Sequence, residues 1–144
     1  MIAVDTNLLV YAHRRDSAFH AVAVRSLAAL AQAPAPWAIP WPCVHEFYSV
    51  VTNARAYKPA STPAQATAQL DAWFASPSLV LLHESSQHWV TLRRLLVASR
   101  AAGALVHDAR VAAICIDHDV AELWSADRDF NRFPRLSVRN PLVA

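Results

Sequence analysis

Short apolar runs alternate along this chain with longer segments whose apolar residues recur every three or four positions. That alternation constrains the fold more than any other feature. A run with no periodicity reads as a strand buried on both faces, and the 3–4 spacing reads as a helix with one apolar side. Strand–helix alternation is the pattern of an α/β domain, a parallel sheet with helices on both faces.

Ile2 to Val4 opens the series as a strand. Asp16 or Ser17 then caps a helix through about Leu30, with Val24, Leu27, Ala28 and Ala31 on one face. The stretch APAPWAIPWP stops helical structure, because Pro34, Pro36, Pro40 and Pro42 do not fit inside a helix. Trp37 to Ile39 is a small strand within it, and a helix follows from about Cys43 to Ala54. Ser61 or Thr62 before Pro63 signals another helix start. Leu79 to Leu82 reads as a strand, and Ser85-Ser86 starts the next helix, with Gly103 as its left-handed cap. Asp108 begins an apolar helix through about His118. Val120 to Ser125 is a strand, with a last one expected at 136–138. No repeat or low-complexity linker interrupts the series, so residues 1–144 are expected to form one domain.

Composition excludes several classes. Hydrophobic residues make up 55% of the chain, ample for a core and contrary to disorder. Charges interrupt every apolar run before membrane-spanning length, and Asp5 arrives too early for a signal peptide, so a cytoplasmic protein is expected. Cys43 and Cys115 read as buried reduced thiols, and the 7 His are scattered without zinc spacing. No G-x-S-x-G nucleophile elbow occurs. The net charge of +2 identifies no partner.

The acids are more informative. In a parallel sheet, functional groups gather at the C-terminal ends of the strands. Asp5 ends the first strand, and Asp127 follows the strand ending at Ser125. Asp108 opens a helix, and Glu46 lies one turn into the helix after the Trp37–Ile39 strand. Taken singly, Asp5 and Asp108 read as helix caps, Asp127 as a turn residue, and Glu46 as an acid pointing to solvent. Taken together at one sheet edge, they repel unless a cation neutralises them. Carboxylates are hard donors suited to Mg²⁺ or Mn²⁺, and such a site suits phosphodiester hydrolysis by activated water.

Four segments carry a family resemblance: VDTNLLVYA, PCVHEFYSVVTNAR, ALVHDARVAAICIDH, and WSADRDFNRFP with the RNPL that follows. In this order, over almost the whole chain, they resemble the PIN domain, and more narrowly a VapC-type toxin ribonuclease of a bacterial toxin–antitoxin pair. The resemblance implies a three-layer α/β/α sandwich around a mainly parallel sheet. It implies a Mg²⁺- or Mn²⁺-dependent endoribonuclease, with Asp5, Glu46, Asp108 and Asp127 as catalytic metal acids. Asp129 is a further metal candidate. Asn7 and Ser125 fall where the family often has supporting polar groups. Arg110 and Arg128, beside two of the acids, are candidate RNA-phosphate contacts, with ion pairing to those acids as the plain alternative. A cognate antitoxin, an RNA substrate and a homodimer are implied as partners. The chain departs from the family at Asp119, which replaces a frequent Gly and must take a left-handed conformation, and at Trp124, which is bulkier than usual. The rival readings are a catalytically silent PIN fold that binds RNA or protein, and a metal-dependent phosphatase or flap-type DNA nuclease.

Overall fold

The structure is a computed structural model and describes residues 1–143. The elements run β1 (Ile2–Val4), α1 (Thr6–His13), α2 (His20–Gln32), β2 (Trp37–Pro40), α3 (Trp41–Val51), α4 (Pro63–Phe74), β3 (Leu79–Leu82), α5 (His88–Ser99), α6 (Leu105–Asp117), β4 (Glu122–Trp124) and β5 (Val138–Arg139). A short 3₁₀ turn covers Arg128–Arg132, between β4 and β5. The five strands form one sheet in the order β3-β2-β1-β4-β5, and every pairing is parallel. With six helices flanking it, the sheet is the centre of an α/β/α sandwich, as the alternation of segments leads one to expect.

The order of strands matters for function. The chain steps outward from β1 to β2 and β3, then returns to the other side of β1 to lay down β4 and β5. The connections therefore reverse direction between β1 and β4. In open parallel sheets this switch point leaves a crevice at the C-terminal strand ends, where ligands bind.

Burial explains why these short strands hold. All of β2 is buried, as a parallel strand covered on both faces must be. Trp37, Ile39, Leu8, Leu9, Phe47, Ile114 and Leu123 anchor a core that reaches from the sheet into both helix groups. On one side α1 packs on α2 and α3, and α3 on α4; on the other, α5 packs on α6.

Several boundaries differ from the sequence reading, each for a local reason. Helix α2 starts at His20, because Asp16 is taken by Arg14 (2.7 Å) and Ser17 spends its hydroxyl on the Phe19 N–H (3.1 Å). Pro42 lies inside the first turn of α3, where its missing N–H costs nothing, and Pro40 is the residue preceding that helix. Helix α5 starts at His88; Ser85 instead accepts from the Gln87 N–H and donates to Asp117 Oδ2 (2.8 Å). The left-handed cap of α5 is Arg100 (φ 55°), not Gly103. Gly103 has φ 59° in the turn leading into α6, which begins three residues before Asp108. Asp119 does take the left-handed conformation expected of it, with φ 53°. Thr62 forms a full capping box with Gln65 ahead of Pro63.

Candidate metal centre

Asp5 leaves the end of β1 with its backbone N–H bonded to Trp124 O (3.0 Å), so β4 pins it. It occupies the position before α1, but its side chain makes no capping bond, so the capping reading of Asp5 does not hold. The carboxylate is 6% exposed and is held by other groups. Ser125 Oγ donates to Oδ2 at 2.8 Å and Asn7 Nδ2 donates to the same oxygen at 3.2 Å. The buried Cys43 thiol approaches Oδ1 at 3.5 Å. Burial is the main cause raising this acid to about 6, with the Ser125 bond opposing it.

The same network continues into the loop after β4. Ser125 Oγ accepts from the Asp127 N–H (3.0 Å), and Asp127 Oδ1 accepts from the Asp129 N–H (2.9 Å). Asn7 Oδ1 accepts from the Ala126 N–H (3.1 Å). Asp5, Ser125, Asp127 and Asp129 are thus linked in one chain of hydrogen bonds across the switch point. Asp127 caps the 3₁₀ turn it precedes, so its turn role and its place at the site coexist.

Asp108 reaches the same place from α6, as the acid of that helix's first turn rather than its cap. Asp108, Asp127 and Asp129 each bring a carboxylate oxygen within 4.8 Å of the others. Burial first, then repulsion from Asp127, Asp5, Asp129 and Glu46 in that order, raises Asp108 to about 7. Glu46, on α3, is exposed, as its plain reading held, but its exposed face borders the crevice that Asp108 and Asp127 line. All four acids picked out in the sequence therefore surround one crevice. The tightest trio includes Asp129 in place of Asp5 or Glu46.

This donor set fits a hard divalent cation. It is all oxygen, it is mutually repulsive, and Asp5 and Asp108 are held above the ordinary aspartate range, first by burial and then by neighbouring carboxylates. Asp108, Asp127 and Asp129 are the residues that would hold the ion, with Asp5 and Glu46 beside them.

The two arginines fare differently. Arg110 pairs with Glu84 rather than with a neighbouring acid, through Nε at 2.6 Å. Arg128 is exposed and, among the described residues, makes no ion pair.

The acids divide the crevice into two hollows, both sharing Glu46, Asp108 and Asp127. The smaller, about 210 Å³, has a wall of Val10, Tyr11, Val50, Tyr57 and Val111. The larger, about 550 Å³, is bordered by His45, Ser49, His107 and Arg110. Sequence reasoning missed these walls. Tyr57 lies in an irregular loop with no periodicity to mark it, and the histidines are one residue from Glu46 and Asp108, a signal that was available.

A parallel α/β sheet with carboxylates gathered at its switch point defines a class of α/β domain with an acidic site, and comparison with known proteins narrows it. The PIN domain model matches residues 2–136, and the chain belongs to that family. It is 38% identical over 142 residues to VapC ribonuclease Mb2897 of Mycobacterium bovis, covering 99% of this chain and 96% of that protein. It is 34% identical over 143 residues to ribonuclease VapC31 of Mycobacterium tuberculosis, covering 99% and 100%. In fold it resembles VapBC2 from Rickettsia felis, solved bound to a promoter DNA fragment (TM-score 0.72, 21% identity, 97% and 98% covered). It also resembles VapC20 of Mycobacterium tuberculosis, a sarcin–ricin loop cleaving toxin (TM-score 0.68, 17% identity, 91% and 93% covered). No helix among the described residues is long and apolar enough to cross a membrane.

Proposed function

We propose that the chain is a toxin endoribonuclease that hydrolyses RNA phosphodiester bonds with Mg²⁺ or Mn²⁺ held by its acid cluster. The observation that carries this reading is the convergence of Asp108, Asp127 and Asp129 within 4.8 Å, backed by the buried Asp5. The ribonuclease names of its relatives supply the substrate class.

Asp5, Glu46, Asp108 and Asp127 are the proposed catalytic acids, and Asp129 is a fifth metal candidate. When bound, a divalent cation supplies Lewis acidity to a phosphoryl oxygen and activates water for attack. Ser125 and Asn7 hold Asp5 in one orientation, ionised and facing its neighbours. Arg128, without an ion pair among the described residues, is offered to RNA phosphates; Arg110 lies on the same crevice with its charge shared with Glu84. The toxin–antitoxin complexes among its structural neighbours support a cognate antitoxin. Its seat across the acids and a homodimer are parts of the same proposal.

The test is cleavage of a mixed RNA pool with Mg²⁺ or Mn²⁺ by the wild type and by Asp5→Asn. Cutting that EDTA abolishes and Asp5→Asn removes is expected. Equal cutting by both proteins would sink the role of Asp5. No cutting by the wild type on any RNA class would favour a silent binding domain.

A further inference from the structure

The two hollows beside the acids differ in chemistry. The larger is bordered by His45, Ser49, His107 and Arg110 beside the acids, with no tyrosine in its lining. The smaller is lined by two tyrosines and three valines together with the carboxylates. Its volume of about 210 Å³ is below the roughly 300–1,000 Å³ of pockets for drug-sized ligands, so it has room for one small ring system.

We propose that this smaller hollow receives the nucleobase adjacent to the scissile phosphate. The inference rests on the ribonuclease reading and adds to it the part of the substrate that this side of the crevice recognises. Three observations carry it. The hollow shares Asp108 and Asp127 with the metal cluster, so a phosphate lodged there brings a neighbouring base to its mouth. Its remaining acid lining repels phosphate, so the part of an RNA chain that enters must be neutral and flat, with amino groups for the carboxylates to accept from. Its wall includes the rings of Tyr11 and Tyr57, and aromatic rings are the usual platform for unpaired bases. Those rings are braced. The Arg14 guanidinium lies 4.4 Å from the Tyr57 ring centre, and Tyr11 packs on Phe19 at 5.3 Å. Arg14 is itself fixed by Asp16 and by the Pro59 carbonyl (3.0 Å).

The experiment uses short RNA oligomers spanning a mapped cleavage position, intact or with one flanking base removed and the ribose kept. Wild type, Tyr57→Phe and Tyr57→Leu are compared for initial cleavage rate, and their thermal shift with Mn²⁺ reports that fold and metal site are retained. Removing the base on one side of the cut is expected to slow wild-type cleavage about 5- to 150-fold, the range for one lost stacking contact. Tyr57→Leu is expected to show that loss on the intact oligomer and little more on the abasic one, while Tyr57→Phe, which keeps the ring, keeps the sensitivity to base removal. Equal rates on intact and abasic oligomers would overturn the assignment. So would a Tyr57→Leu protein as sensitive to base removal as the wild type. Base-independent cutting combined with weaker antitoxin binding by Tyr57→Leu would also overturn it, and give the hollow to the protein partner. If the wild type cuts nothing, the ribonuclease reading falls, and photo-crosslinking of 4-thiouridine oligomers in EDTA decides the hollow alone. Attachment at Tyr11 or Tyr57 supports a base site, and attachment only elsewhere overturns it.

Discussion

Ser125 Oγ donates to Asp5 Oδ2 at 2.8 Å across 120 residues of chain, and the same oxygen atom of Ser125 accepts from the Asp127 N–H. One hydroxyl thus ties the acid at the end of β1 to the acid loop after β4, at the point where the sheet reverses direction. Its removal has two separable consequences. Ser125→Ala leaves a buried carboxylate and an amide short of a partner, at a stability cost of about 1–3 kcal/mol. It also frees Asp5 to turn, and groups that orient metal-binding side chains typically contribute 10–100-fold to affinity. Mn²⁺ titration by calorimetry should find a loss in about that range. An unchanged affinity would mean that Asp5 does not act on the metal.

The acid cluster makes the metal-free protein sensitive to pH. Asp5 at about 6 and Asp108 at about 7 both lie above the ordinary aspartate value of 3.8. Between those values the folded chain keeps protons that the unfolded chain has released. The stability these groups contribute is therefore fully present below about pH 4 and is lost as pH rises through 6 to 7. In EDTA, the melting temperature attributable to them is expected to fall from about pH 5 to about pH 8. The increase on adding Mn²⁺ is expected to grow over the same window. A metal-induced shift that stays flat from about pH 5 to about pH 8 would contradict it.

Asp108 bears the repulsion of four other carboxylates. Asp108→Asn keeps the shape and removes one charge from the cluster. The metal-free variant is expected to melt a few degrees above the wild type at neutral pH, and to lose most of the Mn²⁺-induced shift. Thermal melts with and without EDTA read both effects. A variant less stable than the wild type without metal would show that Asp108 is held by attraction rather than strained by repulsion.

Helix α5 ends on Arg100 in a left-handed conformation (φ 55°, ψ 36°), which a side chain tolerates poorly. Arg100→Gly is therefore expected to stabilise the protein by about 1 kcal/mol, a gain readable as a higher urea midpoint at unchanged slope. Destabilisation would show that the Arg100 side chain makes contacts outweighing the backbone cost.

How much of this was legible in the sequence depends on the kind of signal. The strands and helices were legible because apolar runs and 3–4 spacing follow directly from burial. Asp5, Glu46, Asp108 and Asp127 were legible because strand ends converge in a parallel sheet. Helix starts were less so. Asp16 and Ser85 look like caps in one dimension, but Asp16 is engaged by Arg14 two residues before it, and Ser85 by Asp117 of α6 and the Gln87 N–H. The cap of α5 falls on Arg100 although a glycine stands three residues on, because the turn into α6 needs that glycine. Arg110 sits beside Asp108 in sequence, yet the helix turns it toward Glu84. The Tyr11 and Tyr57 wall was not legible, since α1 and the loop after α3 meet only in three dimensions.

Glu46 depends on its neighbour in sequence. Phe47 is fully buried, with its ring 5.0 Å from Trp73 and 5.4 Å from His13, and so docks α3 against α4 and α1. Emptying that position leaves a cavity at the junction of three helices. Phe47→Ala is expected to cost about 3–5 kcal/mol, a large share of the roughly 5–15 kcal/mol that holds a domain of this size. Because α3 also carries Glu46, the residual folded fraction is expected to bind Mn²⁺ more weakly as well. Urea unfolding gives the first quantity, and Mn²⁺ titration under folding conditions gives the second. A cost below about 1 kcal/mol would mean that the three helices close over the gap. Full Mn²⁺ affinity despite the full stability cost would separate Glu46 from the metal and leave the aspartates as its ligands.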